Sequence, residues 1–117
     1  MVATPALAQD VPSGQPVTLS EVLVDAVGTE NWLRFRFVAP EIARESGTVS
    51  YVEAEGDFQA LCDAVALPYM DDFDLTADIV IISLMDRPVP FGTTEPVATQ
   101  FFEAFRPGPD GCVWEAF

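Results

Sequence analysis

The chain has 117 residues, half of them apolar, with nineteen acidic residues against five arginines, no histidine and no lysine, for a formal charge of −14. That inventory withholds the side chains that titrate near neutrality or act as amine nucleophiles, so serine- and thiol-type hydrolysis lack an activating base. Zinc, histidine-ligated haem and iron–sulfur sites lack ligands, no cofactor is implied, and nucleic acid and anionic lipid are repelled.

Ala6-Leu7-Ala8, preceded by Pro5, matches the A-x-A cleavage pattern of an exported precursor. Residues 1–9 are therefore expected to be the tail of a signal peptide lacking its charged and apolar regions. A floppy alanine-rich terminus is the alternative. Residues 10–16, with Pro12 and Pro16, are expected to form a loose leader, and residues 17–117 a single domain. Only two cysteines occur, Cys62 and Cys112, and in an exported domain an even count points to one structural disulfide. Closing a loop of about fifty residues is worth roughly 4 kcal/mol on the chain-entropy model. The apolar runs, such as Ile79 to Ile82, are too short to span a bilayer.

Val17 to Val24 has a strand-like pattern, although Ser20-Glu21 could start a short helix. Gly28 to Asn31 is a turn. From Trp32 to Val38, Leu33, Phe35 and Phe37 alternate with Arg34 and Arg36, which predicts a strand with one buried and one wet face. Glu41 to Arg44 reads as a helical turn and Thr48 to Val52 as a short strand. Phe58, Leu61, Cys62 and Val65 then fall at i, i+3, i+4 and i+7, predicting an amphipathic helix over 55–66 that ends at Leu67-Pro68. Tyr69 to Thr76 is expected to be an acidic loop. The β-branched run Ala77 to Met85 predicts a central strand buried on both faces. Ala98 to Arg106 and Cys112 to Phe117 read as the arms of a hairpin turning at 107–111; a helix from Thr94 to Phe105 is the competing reading. The expected fold is α+β: a mainly antiparallel sheet with one principal helix packed across a face and a single disulfide pinning that helix to the last strand.

Three sets of residues could carry function. Arg34 and Arg36 could clamp an anion, and with Phe101, Phe102 and Trp114 they make a candidate partner surface. Asp72, Asp74 and Asp78, within the acidic stretch Asp71 to Asp78, resemble the first ligand positions of a calcium loop. Ala77 replaces its glycine, however, and Ser83 its bidentate glutamate. Glu103 and Glu115 have the most apolar neighbours among the acids, as a carboxylate-based hydrolase would need. The terminal Phe117 also ends outer-membrane barrels, but Glu115 breaks the apolar alternation of a barrel strand.

Leu33 to Pro40, Leu61-Cys62, Ser83 to Pro88, Phe91-Gly92, Thr99 to Glu103 and Cys112 to Glu115 carry a resemblance to a family of small exported alphaproteobacterial proteins classed only as a domain of unknown function. The resemblance spans the whole mature segment and implies export and paired cysteines, but no activity, cofactor or catalytic residue. The sequence thus points to a periplasmic or secreted interaction or accessory domain with a protein partner in the cell envelope, favouring a basic one. A calcium- or ligand-binding module is the second reading and a carboxylate-based hydrolase the third.

Overall fold

The computed structural model describes residues 9–93 and 95–116. The A-x-A motif, Thr94 and Phe117 lie outside them. Five strands form one sheet in the order β1-β2-β3-β4-β5. β1 (Thr18–Val27) and β2 (Glu30–Val38) make a hairpin through the two-residue turn Gly28-Thr29, where Gly28 takes φ 61° without steric penalty. β3 (Ile79–Met85) runs parallel to β2, so the chain between them must cross over the sheet rather than turn tightly. β4 (Gln100–Gly108) and β5 (Gly111–Glu115) continue antiparallel. The α+β fold expected from the sequence is the one observed, with a single parallel pair inside a mainly antiparallel sheet.

The crossover carries the helix, which differs from the expected one at both ends. Thr48 to Val52 is no strand. Ser50 caps α1 (Tyr51–Leu61) by accepting from the Glu53 backbone N–H, while the Glu53 carboxylate accepts from the Ser50 N–H. This reciprocal box outweighs the local β-branched preference of Thr48, Val49 and Val52. Nor does Leu67-Pro68 end the helix. A π-helical segment (Cys62–Ala66) leads straight into α2 (Leu67–Asp72), whose first turn contains Pro68. Proline is accommodated there next to the π turn, where the Leu67 N–H reaches back five residues to the Cys62 carbonyl and the regular hydrogen-bond ladder is already interrupted. The acidic residues from Asp71 onward therefore begin as helix, not loop.

The helices cover one face of the sheet. Leu33, Phe35 and Phe37 of β2, Val80, Ile82 and Leu84 of β3 and Phe105 of β4 meet Ala54, Phe58, Leu61, Cys62, Ala66 and Met70. Each fully buried Phe or Leu contributes about 1.5–3 kcal/mol. Cys62 bonds Cys112 of β5. Beside that bridge, the Cys112 N–H donates to Asp63 Oδ1 at 2.7 Å, and Gln59 Nε2 donates to the Cys112 carbonyl at 2.8 Å. Gly111, at φ 124°, lets Asp63 approach; a Cβ there would lie 3.0 Å from its Oδ1.

The leader, 10–16, is irregular but docked. Asp57 of α1 is wholly buried and accepts from the Ser13 N–H at 2.9 Å, the Ser13 hydroxyl at 2.6 Å and Gln15 Nε2 at 2.8 Å. The Gln9 N–H reaches the Val17 carbonyl, and Val11 packs against the core. A loose leader was expected because two prolines and few apolar residues conceal this polar clasp. A buried carboxylate is tolerated when donors surround it.

Two outcomes follow. Reduction of the bridge, or the Cys62→Ala/Cys112→Ala double variant, should lower unfolding free energy by about 4 kcal/mol, read as a fall in the denaturant midpoint. Asp57→Ala strips three donors of their acceptor and should cost about 3 kcal/mol, with faster amide exchange at Ser13 and Gln15; unchanged exchange there would show that the clasp does not hold the segment.

Candidate functional site

The face of the sheet opposite the helices has only partial cover. From β2 it presents Arg34 and Arg36, from β3 Ile79, Ile81 and Ser83, and from β4 Phe102 and Ala104, matching the strand register. The loop 86–98 folds back over one end of it. That loop is closed at its base by the Asp86 N–H to Thr99 carbonyl bond and by the Thr99 N–H donating to Asp86 Oδ1, both at 3.0 Å. Val89 and Ala98 of the loop pack with Met85 of β3 in a small buried cluster. Its Phe91 ring lies 5.2 Å from the Arg34 guanidinium carbon and 5.7 Å from that of Arg36, within cation–π range.

The sequence assigned this side of β2 to solvent, and Arg36 departs from that. It is only 5 % exposed. Its guanidinium bonds Glu21 of β1 and contacts the Met85 sulfur at 3.6 Å. Arg34 pairs with Asp25 at 3.0 Å and stacks at 5.4 Å on Trp32. Arg106 reaches Glu115 at 3.0 Å and, across β3, Glu30 at 3.4 Å. Three of the five arginines are thus gathered on one face and paired with acids of neighbouring strands. A clamp on an incoming anion would first have to break those pairs.

The loop's base is electrostatically tuned. Burial alone would raise the Asp86 carboxyl, but the hydrogen bonds from Arg87 and from the Thr99 N–H, with the charge of Arg87, outweigh it and hold the group below the usual aspartate range.

Phe101, Phe102 and Trp114 do not form one surface with the arginines. Phe102 joins the arginine face and is 68 % exposed. Phe101 points to the helix side, edge-on to Tyr51 at 5.2 Å between ring centroids. Trp114 pairs with Phe105 across β4–β5 and also faces the helix side. There, Trp114, Phe105, Phe58 and Tyr51 wall a groove of about 250 Å³ between α1 and the hairpin, with Glu55, Gln59 and Glu103 on its lining. The Trp114 indole N–H donates to Glu103 Oε2 at 2.8 Å.

The candidate acids are likewise separated. Glu103 lies on the helix side, whereas Glu115 lies on the arginine side with Ala104 as its strand partner, so the two do not flank one cleft. In the acidic stretch, Asp74 adopts φ 53°, with its N–H on the Asp71 carbonyl and the Leu75 N–H on the Met70 carbonyl. This is a Schellman helix stop. Asp78 instead brackets Asn31, accepting from its N–H at 2.8 Å and donating its own to the Asn31 carbonyl. Asp72 is exposed at the end of α2. Among the described residues, no group of three or more acids or cysteines is placed to hold a metal ion. Tyr51 and Phe58 carry no functional signal in the sequence: Phe58 reads as part of the helix's apolar stripe, and Tyr51 becomes helical only through the Ser50 cap.

Among the described residues no helix is long and apolar enough to cross a membrane. Residues 1–117 match the model of a family described as Family of unknown function (DUF6497), and the chain belongs to it. Comparison with curated proteins finds no match, and comparison with solved structures finds none either.

Because its folded pKa is depressed, Asp86 contributes stability that is complete above the ordinary aspartate value of about 3.9 and is lost as pH falls through the folded value. Asp86→Asn should therefore be less stable than wild type at neutral pH, and the gap should close on acidification below about pH 4. Urea midpoints across that range would measure it, and a gap independent of pH would assign the loss to packing alone.

Proposed function

We propose that this member of a family of unknown function is an exported, non-catalytic interaction domain that docks a basic protein partner of the cell envelope through its arginine-bearing sheet face. The observation that carries the reading is the pairing of exposed apolar groups with balanced charge. Phe102 at 68 %, Val113 at 62 % and Phe91 at 51 % exposure lie on a face where Arg34, Arg36 and Arg106 offset Glu21, Asp25, Glu30 and Glu115. Elsewhere the surface is strongly acidic, as a net charge of −14 requires. A face that is apolar and nearly neutral loses little solvation of charge when covered, the character of an interface core. The acidic surround attracts a basic partner at long range and opposes a second copy of the same chain.

Export is supported by the A-x-A pattern and by the disulfide, which persists in oxidising compartments. The lack of histidine and lysine, and the placing of Glu103 and Glu115 on opposite faces, favour recognition over turnover.

Crosslinking in the periplasm of a native host should capture a basic protein with wild-type bait and lose it with Phe102→Ser, while more salt weakens capture. The same capture by Phe102→Ser at every salt concentration would remove the face from consideration. Sedimentation of the pure protein should show a monomer; a dimer abolished by Phe102→Ser would identify the occupant as a second copy instead.

A further inference from the structure

The groove between α1 and the β4–β5 hairpin lies on the other side of the sheet from the proposed docking face, and its chemistry is different. Four aromatic rings line it: Tyr51 and Phe58 from the helix, Phe105 and Trp114 from the hairpin. Phe58 and Phe105 are buried and form its floor, whereas Trp114 is 58 % exposed and forms a rim. The Trp114 indole N–H is already spent on Glu103 Oε2, which leaves the ring's π faces as its remaining recognition surface. Glu103 and Glu55 supply negative charge to the same lining.

None of the five arginines lines this groove. Three are held on the opposite face by acids there, and Arg44 and Arg87 line a different depression beside Pro96 and Val97. The groove's carboxylates thus differ from those of the arginine face in having no cationic side chain beside them. Aromatic faces with uncompensated carboxylates attract a cation. A hard metal ion is a poor occupant, since calcium takes about six to eight oxygen ligands and two carboxylates among phenyl rings fall short. A cation whose charge is spread over methyl groups loses little hydration on entry and gains from ring faces and apolar floor alike. The volume, about 250 Å³, is below the range of about 300–1,000 Å³ for drug-sized ligands and restricts the occupant to a small head group.

We infer that this groove is a binding site for a small quaternary ammonium group, held between Trp114 and Tyr51 and neutralised by Glu103 and Glu55. Such a group could belong to a free solute or to the head of a zwitterionic lipid, and the test separates the two.

Titration with choline, followed calorimetrically and through the indole N–H resonances, should give saturable binding in the millimolar range that moves the Trp114 signal and leaves that of Trp32 in place. Its uncharged isostere 3,3-dimethylbutan-1-ol should bind at least about tenfold more weakly. Glu103→Gln, which keeps an acceptor for the indole, should weaken choline about fivefold or more, and Trp114→Ala should abolish binding; Glu55→Gln serves if either variant misfolds. Co-sedimentation with phosphatidylcholine vesicles, lost in Trp114→Ala, would assign the head group to lipid, and free-choline binding without co-sedimentation would assign it to solutes. Absence of saturable binding, equal affinity for the neutral isostere, or tighter binding of n-butylammonium would each overturn the inference.

Discussion

The attachment of the helix to the edge strand at Cys112 is the constraint on which the remaining geometry rests. Covalent bond, carboxylate and amide converge on one residue. The disulfide fixes the spacing, while Asp63 and Gln59 satisfy the N–H and carbonyl that an edge strand otherwise leaves open. Because Cys112 immediately precedes Val113 and Trp114, the attachment sets how far those side chains stand from α1 on one face and from the arginines on the other. The π-helical turn begins at the other half of the bridge, Cys62. Such single-turn widenings are uncommon and are often found where a helix must meet a local requirement.

The protein's charge is arranged rather than merely excessive. Acids outnumber arginines nearly four to one, yet the sheet face away from the helices comes close to neutrality because β1, β2, β4 and β5 each bring a charge that a neighbour cancels. Individually, exposed ion pairs contribute little to stability. Their effect here is on the surface: they let Ile79 and Ile81 remain buried without a second protein layer, with Arg106 reaching over β3 to Glu30. Long basic side chains can cover apolar strands in this way while keeping their heads in water.

The strands were legible because each has a pattern that only a sheet satisfies. Alternation in Leu33 to Phe37 fixed β2, and the unbroken β-branched run of Ile79 to Ile82 marked β3 as central. The hairpin was also legible, and it differs from the helical alternative in its alternation: Phe101, Glu103 and Phe105 face the helices while Phe102 and Ala104 between them face the arginine side. The helix limits were misread for a local reason. Ser50-Tyr51-Val52-Glu53 contains both a β-branched signal and a capping box, and the structure follows the box. Pro68 reads as a stop unless the π turn ahead of it is known. The candidate surfaces were least legible. Neighbouring residues in a strand face opposite ways, so Phe101 and Phe102, adjacent in sequence, belong to different surfaces, and no spacing rule reveals that α1 would deliver Tyr51 and Phe58 to Trp114.

The pairing of the only two cysteines has a bearing on biogenesis. Two thiols admit a single intramolecular connectivity, so oxidation cannot trap a scrambled isomer. One of them lies in the crossover and the other in β5, which means the bond closes only once β5 is available to pair beside the helix. Formation of the bond accordingly calls for an oxidant but for no isomerase, and premature oxidation can lead only to intermolecular adducts or mixed disulfides.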